Sequence, residues 1–75
     1  GNANLVEITL SPDCPVAGQR VGDQTWPTDT ALVAIVRGAR VITPSADDPL
    51  VAGDELLFVT APDQEPALQR MLGHL

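Results

Sequence analysis

Residues 37–58 read RGARVITPSADDPLVAGDELLF. In order, they are the end of a short strand, a tight turn, a returning strand, a proline, a loop and a Gly-Asp step into a third strand. Gly38 sits at the first central position between Arg37 and Arg40, which suits a two-residue type II′ hairpin. Residues 40–43, RVIT, return as the partner strand, and Pro44 ends it. Gly53 leads into residues 54–60, DELLFVT, a further strand.

Working outward, residues 31–36 read ALVAIV, a continuous apolar run. It is short for a helix and rich in β-branched residues, so it is expected to be a strand covered on both faces. Residues 5–10, LVEITL, alternate with period two. Val6, Ile8 and Leu10 share one face, as in a half-buried strand. The stretch Ser11-Pro12-Asp13-Cys14-Pro15 stops it. Residues 16–26 are ambiguous, because Gly18 and Gly22 each weaken a helix by about 1 kcal/mol relative to Ala. Residues 19–24 suit one short helical turn, with Val21 and Trp26 buried and Pro27 at its end.

The C-terminal stretch reads as a helix. Asp63 is the expected N-cap, and Pro66 falls in the first turn, where its missing N–H costs little. Leu68, Met71, Leu72 and Leu75 form one apolar stripe, and Gly73 marks the expected end. The order strand, short helix, three strands, helix describes a small α+β domain.

The 75-residue length allows one domain. Domains this small often gain stability by oligomerising. The single cysteine excludes an internal disulfide. Cys14 reads as an inert thiol in a reducing compartment. The net charge is −6, from ten acids against four arginines and no lysine. A phosphate backbone needs clustered Lys and Arg, so nucleic acid is a poor partner, and so is an anionic membrane. No apolar run reaches the ~18 residues of a membrane span, and no signal-peptide pattern opens the chain. Residues 1–4 read as a tag or linker, and residues 5–75 as the domain.

Catalytic chemistry has little to stand on. His74 is the only histidine and has no Ser or Cys at a credible spacing. Cys14 lies between two prolines, with no base to activate it. No Gly-rich phosphate loop occurs. Asp47-Asp48 and Asp54-Glu55 lack calcium-loop spacing and read as solvated loop carboxylates, with Asp54 ordering its turn. Arg37 and Arg40 are opposed across the hairpin, which is unfavourable unless an anion or an acid sits between them. They are the candidate anion contact; otherwise both point into water or pair with a nearby acid. Trp26 reads as a core residue or, alternatively, as an interface hot spot.

These pieces together resemble the TrkA-C module, the C-terminal lobe of RCK regulatory subunits of potassium channels and transporters. The resemblance covers residues 5–72. It lies in the Gly-led short helix AGQRV at 17–21, in VAIVR at 33–37 followed by RVITP at 40–44, in LVAGDELL at 50–57, and in a closing helix over 64–72. It implies a cytoplasmic regulatory domain that forms homodimers and binds a small ligand at the dimer seam. Binding there would gate ion flux through an attached or partner cation channel or transporter, whose membrane segments lie outside this chain. Candidate seam and pocket residues are Trp26, Val33, Ile35 and Pro44. Some members bind cyclic di-AMP and carry a basic residue just before the second strand. Here that segment is QTWPTDT at 24–30, without Arg or Lys, so cyclic di-AMP is not the expected ligand. The resemblance names no cofactor. The rival reading is a purely structural dimerisation module. A third is an enzyme or its accessory lobe, in which Asp47, Asp48, Asp54 and Glu55 would have to converge on a metal.

Overall fold

A computed structural model describes residues 2–73. Four strands form one antiparallel sheet: β1 Asn4–Thr9, β2 Thr30–Arg37, β3 Arg40–Ile42 and β4 Glu55–Thr60. Their order across the sheet is β1-β4-β2-β3, so the last strand lies at the centre. A 3-10 turn, Val21–Asp23, precedes β2; another, Pro62–Gln64, runs into the helix α1, Glu65–Met71. The expected α+β order is what the chain adopts.

Period-two patterning decides the core. Val6 and Ile8 of β1, Leu56 and Phe58 of β4, and Ile35 of β2 are buried on one face of the sheet. Leu10, Cys14, Val16, Leu50, Leu68 and Leu72 cover them from the loops and α1. The sheet therefore carries one layer of loops and helix on one side.

That layer is held by backbone pairing between two loops. Gly18 N–H donates to Leu50 O (2.7 Å), Leu50 N–H to Gln19 O (2.8 Å), Val21 N–H to Asp48 O (2.9 Å) and Gly22 N–H to Ala46 O (2.8 Å). Residues 18–22 thus run beside residues 46–50 as an irregular ladder, pairing backbone donors and acceptors where the two loops pack together. The approach at Gly22 is close. A Cβ there would lie 2.8 Å from Ala46 Cβ and 2.9 Å from Ala46 O. Gly22→Ala is expected to push the loops apart and cost about 1–3 kcal/mol, as overpacking does. Urea denaturation measures it, and a loss below about 0.5 kcal/mol would show that the ladder yields freely.

Two expectations need correction. ALVAIV is a strand, but the described residues cover only one of its faces: Ile35 is buried, while Ala31 and Val33 are exposed. Register shifts at Val33, because Leu32 opposes Phe58 and Ala34 opposes Leu57, so Val33 is the extra residue of a bulge. Asp63 is not the helix cap either. Pro62–Gln64 forms the 3-10 turn, and α1 starts after Gln64, which makes no side-chain capping bond. Pro66 occupies the first turn and Gly73 takes φ 76° just past the end, both as expected. Leu75 and His74 lie outside the described residues.

Candidate functional site

The hairpin closes as the sequence indicates. Arg37 pairs with Arg40, and Gly38 takes φ 60°. The charge on Arg37 is met by an acid seventeen residues further along the chain. Asp54 is 1% exposed, although its neighbours in the loop are open to water. Arg37 Nε and Nη2 each donate to a different Asp54 oxygen at 2.8 Å, a two-pronged fit between planar groups. Arg37 Nη2 also donates to Pro49 O at 3.1 Å. Val51 N–H donates to Asp54 Oδ2 at 2.9 Å. The Asp54 backbone continues the joint: its carbonyl accepts from Leu10 N–H, and Gly53 N–H donates to Leu10 O, both 2.8 Å.

The ends of β1 and β2, the 49–51 loop and the start of β4 therefore meet at one carboxylate. Hydrogen bonding from Arg37 holds that carboxyl below its usual range; burial works against this, and the Val51 N–H adds to it. The same bond raises Arg37 further above its ordinary value. Asp54 orders its turn as expected, but it is buried rather than solvated. Arg37 is committed to it, so of the two candidate anion contacts Arg40 is the one left exposed and without an ion pair among the described residues.

The acids proposed to converge on a metal are placed apart. Asp47 approaches Arg20 at 3.8 Å. Asp48 accepts from Ser45 N–H at 2.8 Å. Asp54 is engaged by Arg37, and Glu55 lies on the other face of the sheet. Among the described residues no group of three or more His, Cys, Asp or Glu is arranged to hold a metal ion.

The candidate seam residues occupy three different places. Trp26 is half-buried and lies edge-on to Phe58, with ring centroids 5.1 Å apart and planes at 73°. It belongs to the loop layer, a few residues from the ladder formed by residues 18–22 and 46–50. Pro44, half-buried, leaves β3 towards the same ladder. Val33 stands exposed on the bulge. Ile35 is fully buried inside the protomer. The Arg37–Asp54 joint escaped sequence reading, since nothing in residues 37–54 marks which acid serves which arginine. The signal available was the like-charged pair itself, which needs a counter-ion.

Trp26 on Phe58 and the clamped Gly-Asp turn sit in a fold shared with known proteins. Residues 5–73 match the TrkA-C domain family. The Trk system potassium uptake protein TrkA of Mycobacterium tuberculosis (strain CDC 1551 / Oshkosh) is 54% identical over 72 residues, covering 96% of this chain and 33% of that protein. TrkA of strain ATCC 25618 / H37Rv matches to the same extent. The chain thus spans about a third of the length of these relatives. A solved structure of an RCK domain with cda has a TM-score of 0.78 and 25% identity, covering 91% of this chain and 96% of that one. With the family matched across almost its whole length, the chain belongs to the TrkA-C domain family.

Proposed function

We propose that this chain is a regulatory lobe of a potassium or other cation transport system. In this reading residues 5–75 act in the cytoplasm, attached to or associated with a membrane channel or transporter. The lobe is homodimeric, answers to a small ligand at the dimer seam and performs no catalysis. The observation that carries the reading is the family match over residues 5–73, together with 54% identity to TrkA. No helix among the described residues is long and apolar enough to cross a membrane, so passage of ions belongs to a partner or to another part of a longer chain.

The mechanism is a population shift. A ligand gates only by binding one arrangement of the paired lobes better than another. Trp26 and Pro44, on the loop layer, are the seam residues this reading favours. Val33 adds exposed apolar surface on the bulge, and Ile35 supports the strand from inside. Trp is favoured at such positions because it buries a large rigid surface.

A second reading, a structural dimerisation module with no ligand, draws on two observations. Arg37 is occupied by Asp54, and residues 24–30 contain no basic side chain. A phosphate-bearing ligand, such as a cyclic dinucleotide, would meet Arg40 alone on this hairpin.

Sedimentation velocity up to high micromolar concentration tests the dimer, and a thermal-shift panel tests the ligand. A dimer is expected. A ligand at ~100 times its dissociation constant adds about 2.7 kcal/mol, which is on the order of 10–20 °C for a domain of this size. The panel holds cyclic di-AMP, ATP, NADH, calcium, magnesium and potassium. A dimer with one clear shift supports the sensor; a dimer with a flat panel supports the structural module. A monomer throughout ends both.

A further inference from the structure

The uncovered face of the sheet has a composition that a free surface does not require. Strand registers place ten residues on it in three cross-strand rows. The first is Leu5, Val59 and Ala31; the second is Glu7, Leu57 and Ala34; the third is Thr9, Glu55, Val36 and Val41. Seven of these ten are apolar. Leu5 is 68% exposed and Val41 76%. The bulge adds Val33 beside the second row. A contiguous apolar face of this kind marks a binding surface.

The charges on the face say what binds. Both ionisable residues in the three rows are acidic, and none is basic. Glu7 opposes Leu57, and Glu55 stands two residues away on the same strand, so the carboxylates are diagonal neighbours about 7–8 Å apart. One long cationic side chain laid between them reaches both. A second copy of this chain fits badly. Face to face, two copies would bring four carboxylates into an apolar seam, with a charge of −6 on each side, and desolvated like charges are strongly unfavourable.

The dimensions fit a helix. Three strands spaced about 4.8 Å apart make the first two rows about 10 Å wide, β3 widens the third to about 14 Å, and rows about 6.7 Å apart give a length of about 13 Å. A helix with its side chains is about 10–12 Å across and covers that length in about nine residues. We propose that this face is the docking surface for a basic amphipathic helix of a partner protein. Its apolar stripe lies over Leu57, Val59, Ala34 and Val36, and a Lys or Arg on its flank lies between Glu7 and Glu55. Trp26 and Pro44, the seam residues favoured above, lie on the opposite layer, whereas Val33 borders this face; peptide binding is read separately from oligomeric state, so the two proposals fail separately.

The test uses the whole chain, labelled with nitrogen-15. The probe is a synthetic peptide of ~18 residues, about five helical turns. Leu and Ala make one stripe, and Lys and Arg make the flanks. Its twin carries Glu in place of every Lys and Arg. The expected result is amide shifts at residues 5–9, 31–36 and 55–59, with the basic peptide at least about tenfold tighter than its twin at physiological salt. The variant Glu7→Gln/Glu55→Gln should lose about fivefold or more. Asp13→Asn/Asp63→Asn removes the same charge from exposed sites elsewhere and should change affinity less than about twofold. Four outcomes overturn the proposal: no binding, equal affinity of the twins, equal loss in both double variants, or shifts confined to the loop layer. Concentration-dependent shifts on the open face of the free protein would also overturn it, by assigning the face to a second copy.

Discussion

Phe58→Ala should leave most of the protein unfolded in water at room temperature. Phe58 is fully buried at the centre of β4, between Val6 of β1 and Leu32 of β2. Truncating a buried Phe costs about 3–5 kcal/mol through lost transfer energy and the cavity left behind. The edge-on contact with Trp26 adds about 0.5–1.5 kcal/mol that area alone does not count. A core in a domain this small rarely supplies more than ~3–5 kcal/mol of net stability. The loss therefore matches what is available. Trp26 is the only tryptophan, so its emission reports on the same contact. A red-shifted emission and loss of the far-ultraviolet strand signal at 25 °C are expected. Phe58→Leu, which refills most of the volume, should stay folded with a lower midpoint. A Phe58→Ala midpoint within about 8 °C of the parent, the shift of only one or two kcal/mol, would mean that loops collapse onto the sheet and that Phe58 is not its keystone.

Asp54→Ala is expected to cost about 2–4 kcal/mol. It removes the acceptor for two Arg37 bonds and one Val51 bond, and charge-assisted bonds contribute about 1.5–3 kcal/mol each when solvent is excluded. Breaking a fully buried pair costs about 3–5 kcal/mol. Arg37 retains 38% exposure, so water recovers part of that. Asp54→Asn keeps one acceptor oxygen and should lose less. The two effects separate with pH. Asp54 has its carboxyl lowered by Arg37, so the stability it contributes is fully present above the unfolded carboxyl value, 3.8. That stability is lost as pH falls through the folded value. The gap between the parent and Asp54→Asn should therefore be constant from pH 7 to about 5 and shrink below about 4. Arg37 is raised, and its contribution would be lost only far into alkali. Denaturant midpoints across that range measure the gap; a gap unchanged down to pH 2 would show that the carboxylate charge does not carry the stability.

Much of the fold was legible because local rules agreed with one another. Val6, Ile8 and Leu10 alternate and are buried as alternation requires. Gly38 and Gly53 stand where positive φ is needed, at 60° and 93°. Leu68 and Leu72 follow helix spacing and are both buried. What was not legible depends on things a linear pattern does not hold. ALVAIV reads as a strand covered twice, yet among the described residues only one of its faces is covered, because an apolar run does not state what packs on each face. The pairing of Arg37 with Asp54 spans a loop whose path the sequence does not state. Trp26 was open between core and interface, and its place on Phe58 serves the core while leaving it only half-buried. Candidate seam residues chosen from one strand failed to share a surface for a simple reason. Val33 and Ile35 would face the same way in a regular strand, but a bulge at Val33 breaks that alternation.

The position of β4 has a consequence for how the chain is made. Of the three strand pairings, only β2 with β3 joins neighbours in sequence; the other two both require β4. Asn4 must wait for Thr60. During synthesis β1 therefore has no partner until almost the whole domain has left the ribosome. Such distant pairing is slow, and unpaired apolar strands invite aggregation in the interval. A strongly acidic chain whose early strand carries Glu7 beside its apolar residues keeps newborn copies apart by mutual repulsion until the closing strand arrives.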